Sequence, residues 1–343
     1  MSPQTEPQVQ EVMKALGAQG IDVLRVAYPD LMGSDRSRDI LLHHLPHAAG
    51  HGLAFSRAIY HTAARGDHSD ITGGLEAGMP DIVVRPDLDT VVPLPWEPNV
   101  AWCIGDVRDP ATGLSVPESP RDLLRQVLAS LDETGVSAQV GPELEYVLLE
   151  RDTGSATGWR RYAFDATHEA HGMSATARYA LAGVLAHAPA LSALLNPTVS
   201  SYKRFGPDTT APWLINWGLD NHNALVRIPP ERGAATRLEV RLGDATANPY
   251  LAVAGLLAAI RLGIGAASEP PAPATGYAAG TTTAALLPTD LGQALDALEA
   301  DDELTGALGK PFVDAFLTFR RDELARFRKY VTDWEFREYA QIN

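Results

Sequence analysis

The stretch TRLEVRLGDATANPYLAVAGLLAAI, residues 236–260, limits the fold more than any other part of the sequence. In an extended chain Arg237, Glu239 and Arg241 share one face, and Leu238, Val240 and Leu242 share the other. A charged front on a wholly apolar back is the pattern of a half-buried strand. Asn248 and Pro249 then open an apolar helix running to about residue 267. The run from Leu251 to Ile260 stops at Arg261, too short to cross a bilayer, so a buried core helix is expected. A chain of 343 residues built from such strand and helix units has room for a large core and two domains.

The same signals recur along the chain. Residues 8–20 read as a short helix, 21–30 as an apolar strand, and Asp30 to Gly33 as a turn. PDIVVRPDLDTVVPLPW (80–96) reads as two strands broken by Pro86 and Pro93, and 101–107 as another strand. Ser119, Pro120 and Gly135 bracket a helix over 119–135. SAQVGPELEYVLLE (137–150) follows as a strand, and 151–161 as a polar connector. A helix is expected over 174–195, and loop over 268–290. Near the C-terminus Phe312, Phe316, Phe319, Phe327, Tyr330, Val331 and Trp334 recur at helical spacing, which reads as core packing.

The formal net charge is −15. That balance argues against nucleic acid or an anionic membrane as partner and leaves small molecules. Cys103 is the single cysteine. With no intrachain disulfide and no apolar leader pattern at the N-terminus, a cytoplasmic location is expected.

Three polar clusters could carry chemistry. Alternation places Glu143 and Glu145 on one strand face, a pair suited to a hard divalent cation such as Mg²⁺, or equally to solvent on an edge strand. Arg237, Glu239 and Arg241 form the second cluster. Arginine forks grip carboxylates and phosphates, and cross-strand ion pairs explain the pattern as well. The third cluster is NPTVSSYKRFGPDTTAPWLINWGLDNHNALVRIPP (196–230), where Lys203, Arg204 and Arg227 lie among loops. His168 and His171 in THEAHGMS lack the four-residue spacing of a helical zinc pair, so no metal role is assigned to them.

Taken together and in order, PDLDTVVPLPW, SPRDLLRQVLASLDETG, VGPELEYVLLE, GMSATARYALAGVLAHAPAL, NPTVSSYKRFGP, ALVRIPP, RLEVRLGDATANPYLAVAGLLAAI and FRKYVTDWEFREY resemble the glutamine synthetase family. The chain looks closer to its γ-glutamyl-amide (polyamine or ethanolamine) branch. The resemblance implies an α+β fold with a small β-grasp domain over 1–105. A catalytic domain over 106–343 follows, with a curved antiparallel sheet and flanking helices, shortened between about 150 and 170. It implies ATP as co-substrate, Mg²⁺ or Mn²⁺, and glutamate with ammonia or an amine as substrates. Oligomers of the chain itself, or assembly with a full-length paralogue, are implied as well. Carried over by motif, Glu145 resembles a ligand of one metal, and Glu143 and Glu239 resemble ligands of a second. Arg204 and Arg241 resemble the clamp on the amino-acid substrate. Arg227 and Arg237 resemble the catalytic arginines at the nucleotide phosphates.

The departures are specific. The interval from Glu145 to Arg204 lacks a long segment that carries further metal-binding glutamates, a histidine strand and part of the nucleotide wall. Thr210 stands where the family has a glutamate before AP, and His222 stands where NRSA has arginine. Catalysis by positioned metals and arginines is strongly non-additive. The expectation is therefore a glutamate–amine ligase with an impaired site. The alternative is a pseudoenzyme that binds a ligand or a full-length paralogue, with the surviving carboxylates paired to Arg237 and Arg241.

Overall fold

The computed structural model describes residues 5–62, 78, 80–143, 173–207, 209, 211–231, 236–277 and 284–340. The fold is mixed α+β and divides into two compact units. The first comprises Met1–Ala129, Asn248–Ala254 and Leu308–Asn343; the second comprises Ser130–Ala247 and Gly255–Ala307.

The first unit is built on a sheet. Helix α1 (Glu6–Gly17) precedes β1 (Val23–Pro29) and β2 (Asp35–Leu41); α2 (Leu45–His51) leads into β3 (Leu53–Ser56), β4 (Asp81–Pro86), β5 (Val92–Pro93) and β6 (Val100–Arg108). Strand order is β2-β1-β6-β4-β3, with β5 pairing β6. Strands β1 and β6 run parallel, and the other pairs are antiparallel. Leu24, Val26 and Tyr28 of β1 and Val100, Cys103 and Val107 of β6 supply buried apolar groups. The expected strands and the turn at Asp30 are present. Asp30 Oδ1 accepts from the backbone N–H groups of Met32 and Ser34 at 2.9 Å each, and Gly33 adopts φ 83°.

Helix α3 (Pro120–Asp132) begins where Ser119 and Pro120 place it. Its Arg121 reaches Asp87 at 2.6 Å and Asp106 at 2.8 Å, and Arg125 reaches Asp106 at 2.5 Å, so two half-buried arginines neutralise the acidic residues of the sheet. Asn248 caps α6 (Pro249–Ala266): its Oδ1 accepts from Tyr250 N–H at 3.0 Å, and its amide donates to the Asp30 carbonyl at 3.0 Å.

In the second unit the sequence's single helix over 174–195 is two, α4 (Ala175–Ala186) and α5 (Ala188–Leu195), bent by 74° at His187. Pro189 in the first turn of α5 lacks the N–H that would continue the ladder, which is why the rod breaks there. His187 is buried at the break, with Nδ1 2.7 Å from Asp301 Oδ2. Helix α6 is apolar and long enough by composition to cross a bilayer, with 39% of it buried, and its Gly255–Ala266 part belongs to this unit. A methyl group on Gly183 would lie 2.2 Å from the Ala259 carbonyl, so α4 and α6 meet backbone to backbone. Three short strands, β7 (Trp217–Leu219), β8 (Val226–Ile228) and β9 (Glu239–Val240), form the sheet of this unit among the described residues. Strands β7 and β8 are parallel; β8 and β9 are antiparallel. Helices α7 (Leu291–Ala300) and α8 (Asp302–Leu308) follow.

The C-terminal aromatic stripe behaves in two ways. Phe312, Phe316 and Phe319 are buried on α9 (Lys310–Arg328), as the helical spacing predicts. Phe327, Tyr330, Val331 and Trp334 are exposed, correcting the core reading for that half. The helix stops at Arg328, and Thr332 with Glu335 forms a capping box that starts a separate helix α10 (Asp333–Tyr339), so the stripe does not continue along one rod.

Candidate active site

Of the site residues predicted in the second unit, Arg227, Glu239 and Arg241 lie on or beside β8 and β9. Register places Arg227 directly opposite Glu239. Arg227 Nη1 donates to Glu239 Oε2 at 2.6 Å, and its Nε donates to Asp220 Oδ1 at 3.1 Å. Burial works against the charge on Arg227, yet the hydrogen bonds to Asp220 and Glu239 hold its pKa above the ordinary arginine value. Asp220 sits at φ 46°, a left-handed position that aspartate tolerates better than most residues. The following Asn221 accepts the Asn223 N–H at 2.9 Å and donates to the Ala274 and Gly276 carbonyls, which fixes the turn between β7 and β8.

Arg241 extends the pairing one residue past β9: its N–H donates to the Leu225 carbonyl at 2.9 Å. Its guanidinium donates to the backbone carbonyls of His222 and Ala224. Arg204 donates to Asn196 Oδ1 at 2.9 Å, to the Gly243 carbonyl at 3.1 Å and to the Leu242 carbonyl, and its guanidinium covers the Phe205 ring at 4.7 Å. Both residues expected to clamp an amino-acid substrate are thus anchored to backbone.

Arg237 is placed differently. It is exposed and pairs with Glu231 at 3.2 Å, off the half-buried face that carries Glu239 and Arg241. The three-residue charged face read from alternation therefore holds for Glu239 and Arg241 only, because the strand expected over 237–244 is two residues long, Glu239–Val240. Glu143 is exposed at the end of a segment, 136–143, that has no strand among the described residues, so the expected strand does not form over that part. Glu145, Thr210, His168 and His171 lie outside the described residues.

His222, standing where the family has arginine, is exposed at the surface; the desolvation its neighbours impose, together with the positive charges of Arg227 and Arg241, lowers its pKa below the usual histidine value. Asp220 was not singled out from the sequence; the signal available was the turn-forming LDN just before the histidine.

These groups do not fit a two-metal centre. Among the described residues no three or more His, Cys, Asp or Glu side chains are grouped so as to hold a metal ion. Glu239 Oε2 accepts a charged hydrogen bond from Arg227. What the arrangement offers is an arginine-rich, carboxylate-balanced surface able to receive anionic groups.

A family model described as "Glutamine synthetase, catalytic domain" matches residues 158–339. Glutamine synthetase of Halobacterium salinarum is 28% identical over an alignment of 450 positions, covering 96% of this chain and 96% of the relative. Those 450 positions exceed the 343 residues available here, so a sizeable part of the relative faces no residue of this chain. Glutamine synthetase of Thermotoga maritima is 40% identical over 178 residues, half of this chain and 40% of the relative. Among solved structures, GmaS without ligand and GmaS with ADP each superpose with a TM-score of 0.75, at 24% identity, over 96% of this chain and 99% of theirs. The fold agrees with those structures, and the family model spans more than half of the sequence: the chain belongs to the glutamine synthetase family.

Proposed function

We propose that this protein is a glutamate–amine ligase of the glutamine synthetase kind, working through a γ-glutamyl phosphate, with an impaired site. In that reaction the glutamate side-chain carboxylate attacks the γ-phosphorus of ATP and ADP leaves. Ammonia or an amine then attacks the acyl carbon and releases phosphate. The observation that carries the reading is the in-register Arg227–Glu239 pair beside the anchored Arg241, within the region matched to the family. In this reading Arg227 and Arg237 receive the nucleotide phosphates, and Arg204 and Arg241 orient the glutamate. ATP and Mg²⁺ or Mn²⁺ are its co-reactants. The described carboxylates do not supply a donor set for the cation, which is why slow turnover is expected. A domain division near residue 105, a cytoplasmic setting and a homo-oligomer complete the reading.

The test is ADP release from ATP·Mg²⁺ and glutamate across ammonia and a panel of small amines. Amine-dependent ADP release that disappears in Arg227→Ala supports the reading; no release with any amine overturns it. The positions of the relative that face no residue here favour a second reading, a non-catalytic partner of a full-length paralogue. Co-purification with such a paralogue, together with glutamate binding but no turnover, would favour it.

A further inference from the structure

Four of the chain's 10 histidines fall within residues 43–51, in the stretch LLHHLPHAAGH. Helix α2 turns Leu45 and Ala48 into the core of the first unit. His43, His44, His47 and His51 are all exposed, so packing gives no reason for this density of imidazoles. His47 and His51 are four residues apart, one turn along the same face. Their rings lie nearly parallel, with centroids 4.6 Å apart and 20° between planes. His43 and His44 form a second pair just before the helix, with centroids 4.1 Å apart.

We propose that His47 and His51 form a chelating site for a borderline divalent cation, of the class of Zn²⁺, Ni²⁺ and Cu²⁺. An i, i+4 pair on a helix is the spacing that lets two imidazoles reach one ion at roughly 2.0–2.1 Å. Exposed side chains close that geometry by rotation about their own torsions, with no backbone movement. Water completes the shell, because no three-donor group is assembled among the described residues. His44, one turn before His47, is a candidate for a third ligand. Imidazole prefers Cu²⁺, Ni²⁺ and Zn²⁺ over Mg²⁺, so this site is chemically separate from any hard-cation requirement of the ligase reaction. It does not depend on that reaction.

The experiment is calorimetric titration of the full chain with Ni²⁺, alone and in excess Mg²⁺, with Cu²⁺ electron paramagnetic resonance as the second measurement. Wild type is expected to bind one Ni²⁺ per chain, unaffected by Mg²⁺, with nitrogen couplings from imidazole in the Cu²⁺ spectrum. The double variant H47A/H51A is expected to weaken binding roughly ten- to a hundredfold, at least what losing an outer-shell partner costs. H168A/H171A is expected to bind as wild type. Equal affinity in H47A/H51A and wild type, no Ni²⁺ binding at all, or one-for-one displacement by Mg²⁺ would each overturn the proposal. Both replaced side chains are exposed, and circular dichroism of the variant confirms that the fold is retained.

Discussion

Arg227 and Glu239 face each other across β8 and β9, in direct register and joined by a 2.6 Å charged hydrogen bond. Arg227 also serves Asp220, so one guanidinium balances two half-buried carboxylates. Replacing it with alanine removes the ion pair of both acids at once. The expected cost is about 1–3 kcal/mol, read as a drop of several degrees in Tm. Glu239→Gln retains the Asp220 contact and should cost less. A double-mutant cycle showing no coupling between positions 227 and 239 would contradict the pairing.

His222 predicts a pH dependence. Its folded-state pKa is lowered, first by desolvation and then by Arg227 and Arg241. A histidine held neutral in the fold contributes stability that is fully present above the unfolded value of about 6.5. Below that value the unfolded chain takes up the proton first, and the contribution is lost as pH falls through the lowered folded value. Comparing denaturant unfolding at neutral and mildly acidic pH, His222→Gln should lose less stability on acidification than wild type.

The contact of α4 with α6 leaves no space for a side chain. Gly263→Ala would place its Cβ 2.3 Å from the Tyr179 carbonyl, and Gly183→Ala is no better placed. Overpacking of this kind typically costs about 1–3 kcal/mol. Each variant should melt lower than wild type, although alanine is the better helix former. Gly265→Ala, with no heavy atom within 4 Å of its Cβ, is the control and should be neutral or stabilising.

Asn248 caps α6 and reaches the Asp30 carbonyl from a buried position. Asn248→Ala removes both bonds and leaves that carbonyl without its amide donor. The expected loss is roughly 1–2 kcal/mol. Asn248→Ser, which restores a cap but cannot span to Asp30, should recover part of it in thermal denaturation.

Capping residues and prolines made most of the helices legible: Ser119, Ser174 and Asn248 mark the starts of α3, α4 and α6. The bend at His187 was written in Pro189 but hidden by an apolar run that stays helical in character on both sides. The break between α9 and α10 was hidden for the opposite reason, since aromatic spacing continues through Thr332 although the rod does not. Within the site, alternation found Glu239 but overextended its strand, because period-two patterning cannot report where a partner strand ends. Asp220 escaped notice because its role depends on a left-handed turn that brings it back beneath Arg227, a relationship set by backbone angles.

Arg204 and Arg241 each hold backbone carbonyls of neighbouring loops. A guanidinium employed as a strut is needed for the shape of its loop whether or not a substrate ever arrives. Selection for folding alone is then enough to preserve these two letters of the motif. Their presence in a sequence is a poor witness to turnover, and an alanine scan that silences either one would report collapsed architecture and lost chemistry in the same signal. Ligand titration on a properly folded lysine variant is the measurement that separates the two.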